Sequence, residues 1–148
     1  MKRRVAATAA VLIFIMASPR ADASAGDRIW SALALATIEP SATPIPLPLE
    51  RFAPTINEVF GYNSLYLLGE KKRDLFPGSE EWLIPTKEFF FKVQCLWQEL
   101  TSYLVRIELY RGENLLVTTE AKLAKEAPLY IRGPQWGRGL LIFVLEVR

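Results

Sequence analysis

The chain reads as an all-β protein, an antiparallel sandwich of roughly six to eight short strands. Three observations carry that reading. Apolar runs of strand length recur between proline and glycine punctuation, and no stretch has the period of a long amphipathic helix. The clearest runs also sort their apolar and polar residues onto opposite faces.

Ser102 to Leu123 shows this best and reads as a β-hairpin. Successive strand residues point to opposite faces, so odd and even positions separate. The odd set is Tyr103, Val105, Ile107 and Leu109 on one arm, and Leu115, Val117, Thr119, Ala121 and Leu123 on the other. The even set includes Arg106, Glu108, Glu120 and Lys122, so the odd face is the buried one. Partners across an antiparallel pair share a face. That favours a three-residue loop, Arg111-Gly112-Glu113, setting Leu109 opposite Leu115 and Ile107 opposite Val117. Gly112 supplies the positive φ that such a loop uses.

Taken in order, the chain divides into three parts. Residues 1 to 23 have the pattern of a secretory signal. Lys2, Arg3 and Arg4 precede an uncharged stretch from Val5 to Ala17, and Ala21-Asp22-Ala23 offers a cleavage site before Ser24. The apolar stretch is short for a membrane span, which needs roughly 20 residues. A periplasmic or secreted protein with no stable transmembrane anchor after cleavage is expected. Removing Lys2, Arg3, Arg4, Arg20 and Asp22 turns 18 basic and 16 acidic residues into 14 and 15, a net charge of −1. The basic pI therefore belongs to the signal and gives no reason to expect nucleic acid.

Residues 24 to 54 form a proline-rich lead-in. Ile29 to Ile38 is apolar and alanine-rich, suited to a short helix or to covering an apolar patch. Pro40, Pro44, Pro46, Pro48 and Pro54 then exclude regular structure. The alternation Ile45-Pro46-Leu47-Pro48-Leu49 suits a strap with its leucines packed down rather than a free, polar spacer.

Residues 55 to 148 are expected to be one sandwich domain. A first strand or two ends with Leu65-Tyr66-Leu67-Leu68, and Glu70 to Lys87 reads as a charged connection. Within it, Phe76, Trp82, Leu83 and Ile84 tether the loop or make another short strand. Phe89 to Trp97 is a strand with an all-apolar odd row: Phe89, Phe91, Val93, Cys95 and Trp97. Leu129 to Arg132 is a short strand, Gly133 to Gly139 a loop, and Leu140 to Arg148 a final strand covered on both faces for much of its length. That final loop and strand resemble the last hairpin of many immunoglobulin-like modules. The resemblance makes the immunoglobulin-like sandwich the expected type, with a C2-like or jelly-roll sandwich, or a small barrel, as alternatives.

The chemistry is read mostly by exclusion. The chain has no histidine, so Ser-His-Asp and Cys-His arrangements cannot form. One cysteine makes neither an internal disulfide nor a structural zinc site, and Cys95 reads as a small core hydrophobe. No phosphate-cradling loop or EF-hand spacing occurs. No catalytic residue, metal or cofactor is expected, although carboxylates such as Glu80, Glu81 and Glu108 leave a hydrolase as a third reading.

The candidate binding surface has two parts. Trp136 stands between glycines with Arg132 and Arg138 on either side, suited to stacking on a sugar or gripping a carboxylate. Alternatively, its indole folds back as a plug over the end of the core. Leu104, Tyr110 and Leu116 make the hairpin's outer face less polar than a solvated sheet needs. The leading reading is an exported, non-catalytic binding or assembly module that contacts another envelope or secreted protein through a strand edge or the proline-rich segment. A carbohydrate- or envelope-polymer-binding module is the alternative.

Overall fold

The computed structural model describes residues 26–148, so the signal expected over residues 1 to 23 lies outside the described residues. The chain order is β1 (Arg28–Thr37), a 3-10 turn (Leu47–Leu49), α1 (Ala53–Phe60), β2 (Ser64–Asp74), β3 (Glu80–Leu83), β4 (Phe89–Gln98), β5 (Ser102–Arg111), β6 (Asn114–Ala124), β7 (Leu129–Trp136) and β8 (Gly139–Val147). The strands make two four-stranded antiparallel sheets, ordered β2-β1-β8-β7 and β3-β4-β5-β6, packed face to face. Within each sheet every strand lies beside a sequence neighbour, except where β1 pairs with β8, from Ile29 opposite Val147 to Ala36 opposite Leu140. The Greek-key order that defines an immunoglobulin sandwich is not among these pairings.

All nine residues of β8 are buried, as the apolar run from Leu140 to Leu145 implies, with the charged Glu146 included. Leu141, Phe143, Leu145 and Val147 face the second sheet, where Phe143 meets Phe91 edge-on at 4.9 Å. Leu140, Ile142 and Val144 face the other way, against Leu49, Phe52, Ala53 and Ile56 of the strap and α1. The first sheet is thus the middle of three layers. The strap lies on its outer face, although only Leu49 of the expected leucines is fully buried; Leu47 is 79% exposed.

β1 corrects the reading of Ile29 to Ile38. It is a central strand rather than a helix or a patch cover, so the sandwich begins at Arg28, upstream of residue 55. Ile29 and Leu33 point into the main core, while Trp30, Ala32, Ala34 and Ala36 point toward the strap. The alanines let the strap and helix approach the sheet closely. Residues 55 to 60, expected as the start of the first strand, belong instead to α1, with Pro54 in its first turn and Gly61 at φ 77° ending it.

The second sheet follows the parity reading inside but departs from it at two bulges. Phe89, Phe91, Val93, Cys95, Tyr103, Val105, Ile107 and Leu109 are all buried. A register shift after Cys95 then puts Trp97 opposite Leu104 on the outer face, where it is 64% exposed rather than inward. The hairpin loop has two residues, Gly112 and Glu113, with Arg111 opposite Asn114 and Tyr110 opposite Leu115. A bulge then absorbs Leu116, and Leu109 pairs with Val117, not Leu115. The bulge restores odd-to-odd pairing that the shorter loop alone would break.

A contrast on one short segment tests the layer scheme. Phe52 is 1% exposed and stacks on Trp30 at 5.4 Å, whereas Val59 is 64% exposed. Phe52→Ala is expected to cost about 3–5 kcal/mol in urea unfolding, and Val59→Ala less than about 0.5 kcal/mol.

Candidate interaction surface

The first pair of candidate groups separates in space. Trp136 ends β7 on its inward face, half-buried, edge-on to Phe89 at 5.8 Å. The Arg111 guanidinium lies 5.1 Å from its ring centre and is itself held by Glu88 at 2.8 Å. Its indole therefore packs over one end of the core and already carries a cation on its face. β7 extends through residues expected as loop, and a bulge between Arg132 and Gln135 reverses the parity along it. Arg132, opposite Ile142, therefore faces the strap side, away from Trp136, and Arg138 is exposed in the turn. The three do not converge.

Leu104, Tyr110 and Leu116 all lie on the exposed side of the second sheet, but not as one patch. Leu104 pairs with Trp97 near one end. Tyr110 lies six residues further along β5, about 20 Å at strand rise. There it stacks on Phe90 at 5.4 Å and meets Trp82 at 5.7 Å, with Leu115 and Leu116 beside it on β6. Trp82, Leu115 and Leu116 are each more than 40% exposed. The Trp82–Phe90–Tyr110 cluster joins the three consecutive strands β3, β4 and β5; Tyr110 is a sequence candidate, but its stacking with Phe90 and Trp82 follows only from the strand register.

Charged rows separate these two apolar ends and neutralise themselves. Lys92 lies 3.5 Å from Glu108 and 3.8 Å from Glu80, and Arg106 lies 2.8 Å from Glu120. The Tyr110 hydroxyl donates to Glu108 at 2.8 Å. That bond and then Lys92 hold the Glu108 carboxyl below its ordinary value, while the same bond raises the Tyr110 phenol. Glu80 and Glu81 are consecutive in β3 and so point to opposite faces. Among the described residues no group of His, Cys, Asp and Glu is arranged to hold a metal ion. Cys95 is buried in the core, and burial pushes its thiol up.

The four sheet edges differ in how they are guarded. β2 carries Lys71, Lys72 and Arg73, expected as loop but part of a strand; β3 is four residues long; β7 contains Pro134 and a bulge. Such features discourage another strand from adding. β6 is eleven residues long, pairs only with β5, and is regular from Val117 to Ala124.

On the opposite face a hollow of about 330 Å³ lies between strap and sheet, lined by Ile45, Ala53, Pro54, Asn57, Tyr62 and Leu65 among others. Its amides are engaged in structure, Asn57 donating to the Tyr62 carbonyl at 2.9 Å and Asn63 bonding the Glu39 backbone.

Compared with protein-family models, curated proteins and solved structures, the chain has no match in any of the three.

At the far end of the second sheet, the buried Tyr103 hydroxyl donates to Asp27, which also lies 2.9 Å from Lys125. The Tyr103 bond, then Lys125, holds the Asp27 carboxyl below its ordinary value against the opposing effect of burial. Burial and Asp27 push Tyr103 up to about 12. The depressed carboxyl stabilises the fold above its ordinary value, and that contribution disappears as pH falls through the lowered one. The raised phenol stabilises below about pH 10 and loses its contribution between pH 10 and about 12. In urea unfolding across pH, Tyr103→Phe should lack that alkaline fall and part of the acid one. An identical profile in the variant contradicts the coupling.

Proposed function

We propose that this chain is an exported, non-catalytic assembly module that contacts another envelope or secreted protein through its second sheet. Export rests on the signal pattern of residues 1 to 23. The observation that supports the contact surface is one-sided covering. The strap and α1 bury the outer face of the first sheet, while the outer face of the second keeps Trp82, Leu115, Leu116, Trp97 and Leu104 exposed among the described residues. Exposed aromatic and aliphatic groups around self-neutralised charges suit a protein partner better than a polyanion. Within the sandwich class we read the subtype as a flattened up-and-down barrel rather than an immunoglobulin-like module, because its strands follow sequence order.

A carbohydrate-binding reading is favoured by one observation, the Trp82–Phe90–Tyr110 cluster beside Lys92 and Glu108. It is better placed for stacking than Trp136, whose face Arg111 occupies.

A photo-crosslinking residue placed at Leu116 should give a defined adduct with one partner in the intact envelope. The same residue at Leu47, exposed on the strap side, should not. Equal adducts from both positions, or none from Leu116, contradict the protein reading. Retention on purified envelope glycans that Trp82→Ala abolishes would favour the alternative.

A further inference from the structure

We propose that Arg51 and Arg148 form a binding site for a small monocarboxylate that carries an apolar chain. The site lies on the strap side of the first sheet, away from the proposed assembly surface, so either reading can fail alone.

Two guanidinium groups are held in place here by the protein itself. The carboxylate of the fully buried Glu146 takes one nitrogen of each, the Arg148 Nε at 3.1 Å and a terminal nitrogen of Arg51. Each group also lies over a ring. Arg148 stands over Trp30 at 4.1 Å and Arg51 over Phe52 at 4.8 Å, and the two rings stack on one another at 5.4 Å. A guanidinium offers five N–H donors in a rigid fork, a shape that matches carboxylate oxygens. Among the described residues Glu146 is the one acceptor that either fork engages. Fixing donors by a carboxylate behind them is how a binding site is preorganised.

Holding the strap does not account for both arginines. Arg51 belongs to the strap, but Arg148 follows Glu146 by two residues on the same chain and ties nothing distant to it. One arginine neutralises Glu146, and the second leaves a positive charge over. Burial holds the Arg148 guanidinium below its ordinary value, with Glu70 opposing. A partly desolvated cation gains more from an incoming anion than one in open water.

The surroundings set the ligand. Both arginines line one hollow of about 610 Å³, whose other walls are Leu47, Pro48 and Glu50. Leu47 is largely exposed there, so an apolar chain attached to the anion would cover it. Lys72 shares a neighbouring hollow with Arg148 and has no carboxylate within 4 Å among the described residues. In that hollow Arg28 already pairs with Asp74 at 3.4 Å, and Asp27 with Lys125 at 2.9 Å. Glu50, exposed on the rim, is the one lining group of the first hollow that opposes an anion, and water screens it. A surplus of one charge fits a monocarboxylate better than a phosphate dianion.

The test titrates the exported protein with octanoate and follows the arginine Nε–H resonances by NMR. Those of Arg51 and Arg148 should shift together and saturably. Octanol, which lacks the charge, and acetate, which lacks the chain, should each bind at least about tenfold more weakly. Arg51→Gln should weaken octanoate by about tenfold or more. Where that variant fails to fold, Arg51→Lys takes its place, since it keeps a charge beside Glu146 but loses the fork. Glu50→Gln should tighten binding about twofold, an effect that a purely structural role of the arginines does not produce. No saturable shift, equal binding of octanol or acetate, or undiminished binding by the arginine variant overturns the proposal. So does an affinity that Glu50→Gln leaves unchanged. Shifts confined to the second sheet would place octanoate on the proposed contact surface and overturn this site.

Discussion

Burial of β8 on both faces is the constraint from which the architecture follows. A strand at the sheet centre with nine buried residues needs a layer above and a layer below. The second sheet supplies one. The other, among the described residues, is a proline-rich crossing and an eight-residue helix rather than a further sheet. The strap is therefore structural, and its apolar residues are spent on the first sheet. Among the described residues, the second sheet's inner face serves the same core and its outer face has no covering layer.

Glu146 shows how tightly the strap is registered. It is the one β8 residue on the outer face that is charged, and it is fully buried. Arg51 from the strap and Arg148 from the chain end both bind its carboxylate. The two guanidinium groups also lie over aromatic rings, Arg148 over Trp30 at 4.1 Å and Arg51 over Phe52 at 4.8 Å. Trp30 and Phe52 stack between them, and the Trp30 indole N–H donates to Glu70 at 2.9 Å. A buried ion pair adds little net stability against an apolar substitute, but an unpaired one is costly. The arrangement therefore selects one position of the strap, since sliding it would leave Glu146 with a single partner.

The legibility of each element tracks how many faces decide its residues. The buried parity of β4 and β5 could be read because one face of each is core and the other is solvent. β8 could be read because both faces are core. β1 is also covered on both sides, but its outer row is alanine, chosen for close approach of the strap, and alanine carries no strand signature. The bulges at Leu96 and Leu116 were invisible because each changes register without changing composition. A shorter loop plus a bulge keeps the same parity as a longer loop. Lys71-Lys72-Arg73 looked like a solvated loop because an edge strand protects itself with the same charges a loop carries. Trp136 was ambiguous for the same reason: a plug and a platform need the same indole, and only Arg111, distant in sequence, distinguishes them.

The two corners of the sandwich complete the argument about surfaces. A meander that rolls from one sheet to the other must turn twice, at β2–β3 and at β6–β7. The first turn is sealed where Gly69 meets Pro85, and its edge carries the lysines and arginine of β2. The second joins an eleven-residue strand to an eight-residue one through Lys125 to Pro128, and the two diverge into different sheets. The inward apolar residues of β6 and β7 stay only half-buried, as residues of edge strands with a ladder on one side. A fold that guards three edges and leaves its longest regular one open has its hydrogen-bonding capacity concentrated at a single line. That line borders the outer face of the second sheet, whose exposed leucines and tryptophans stand at its two ends with charged rows between them.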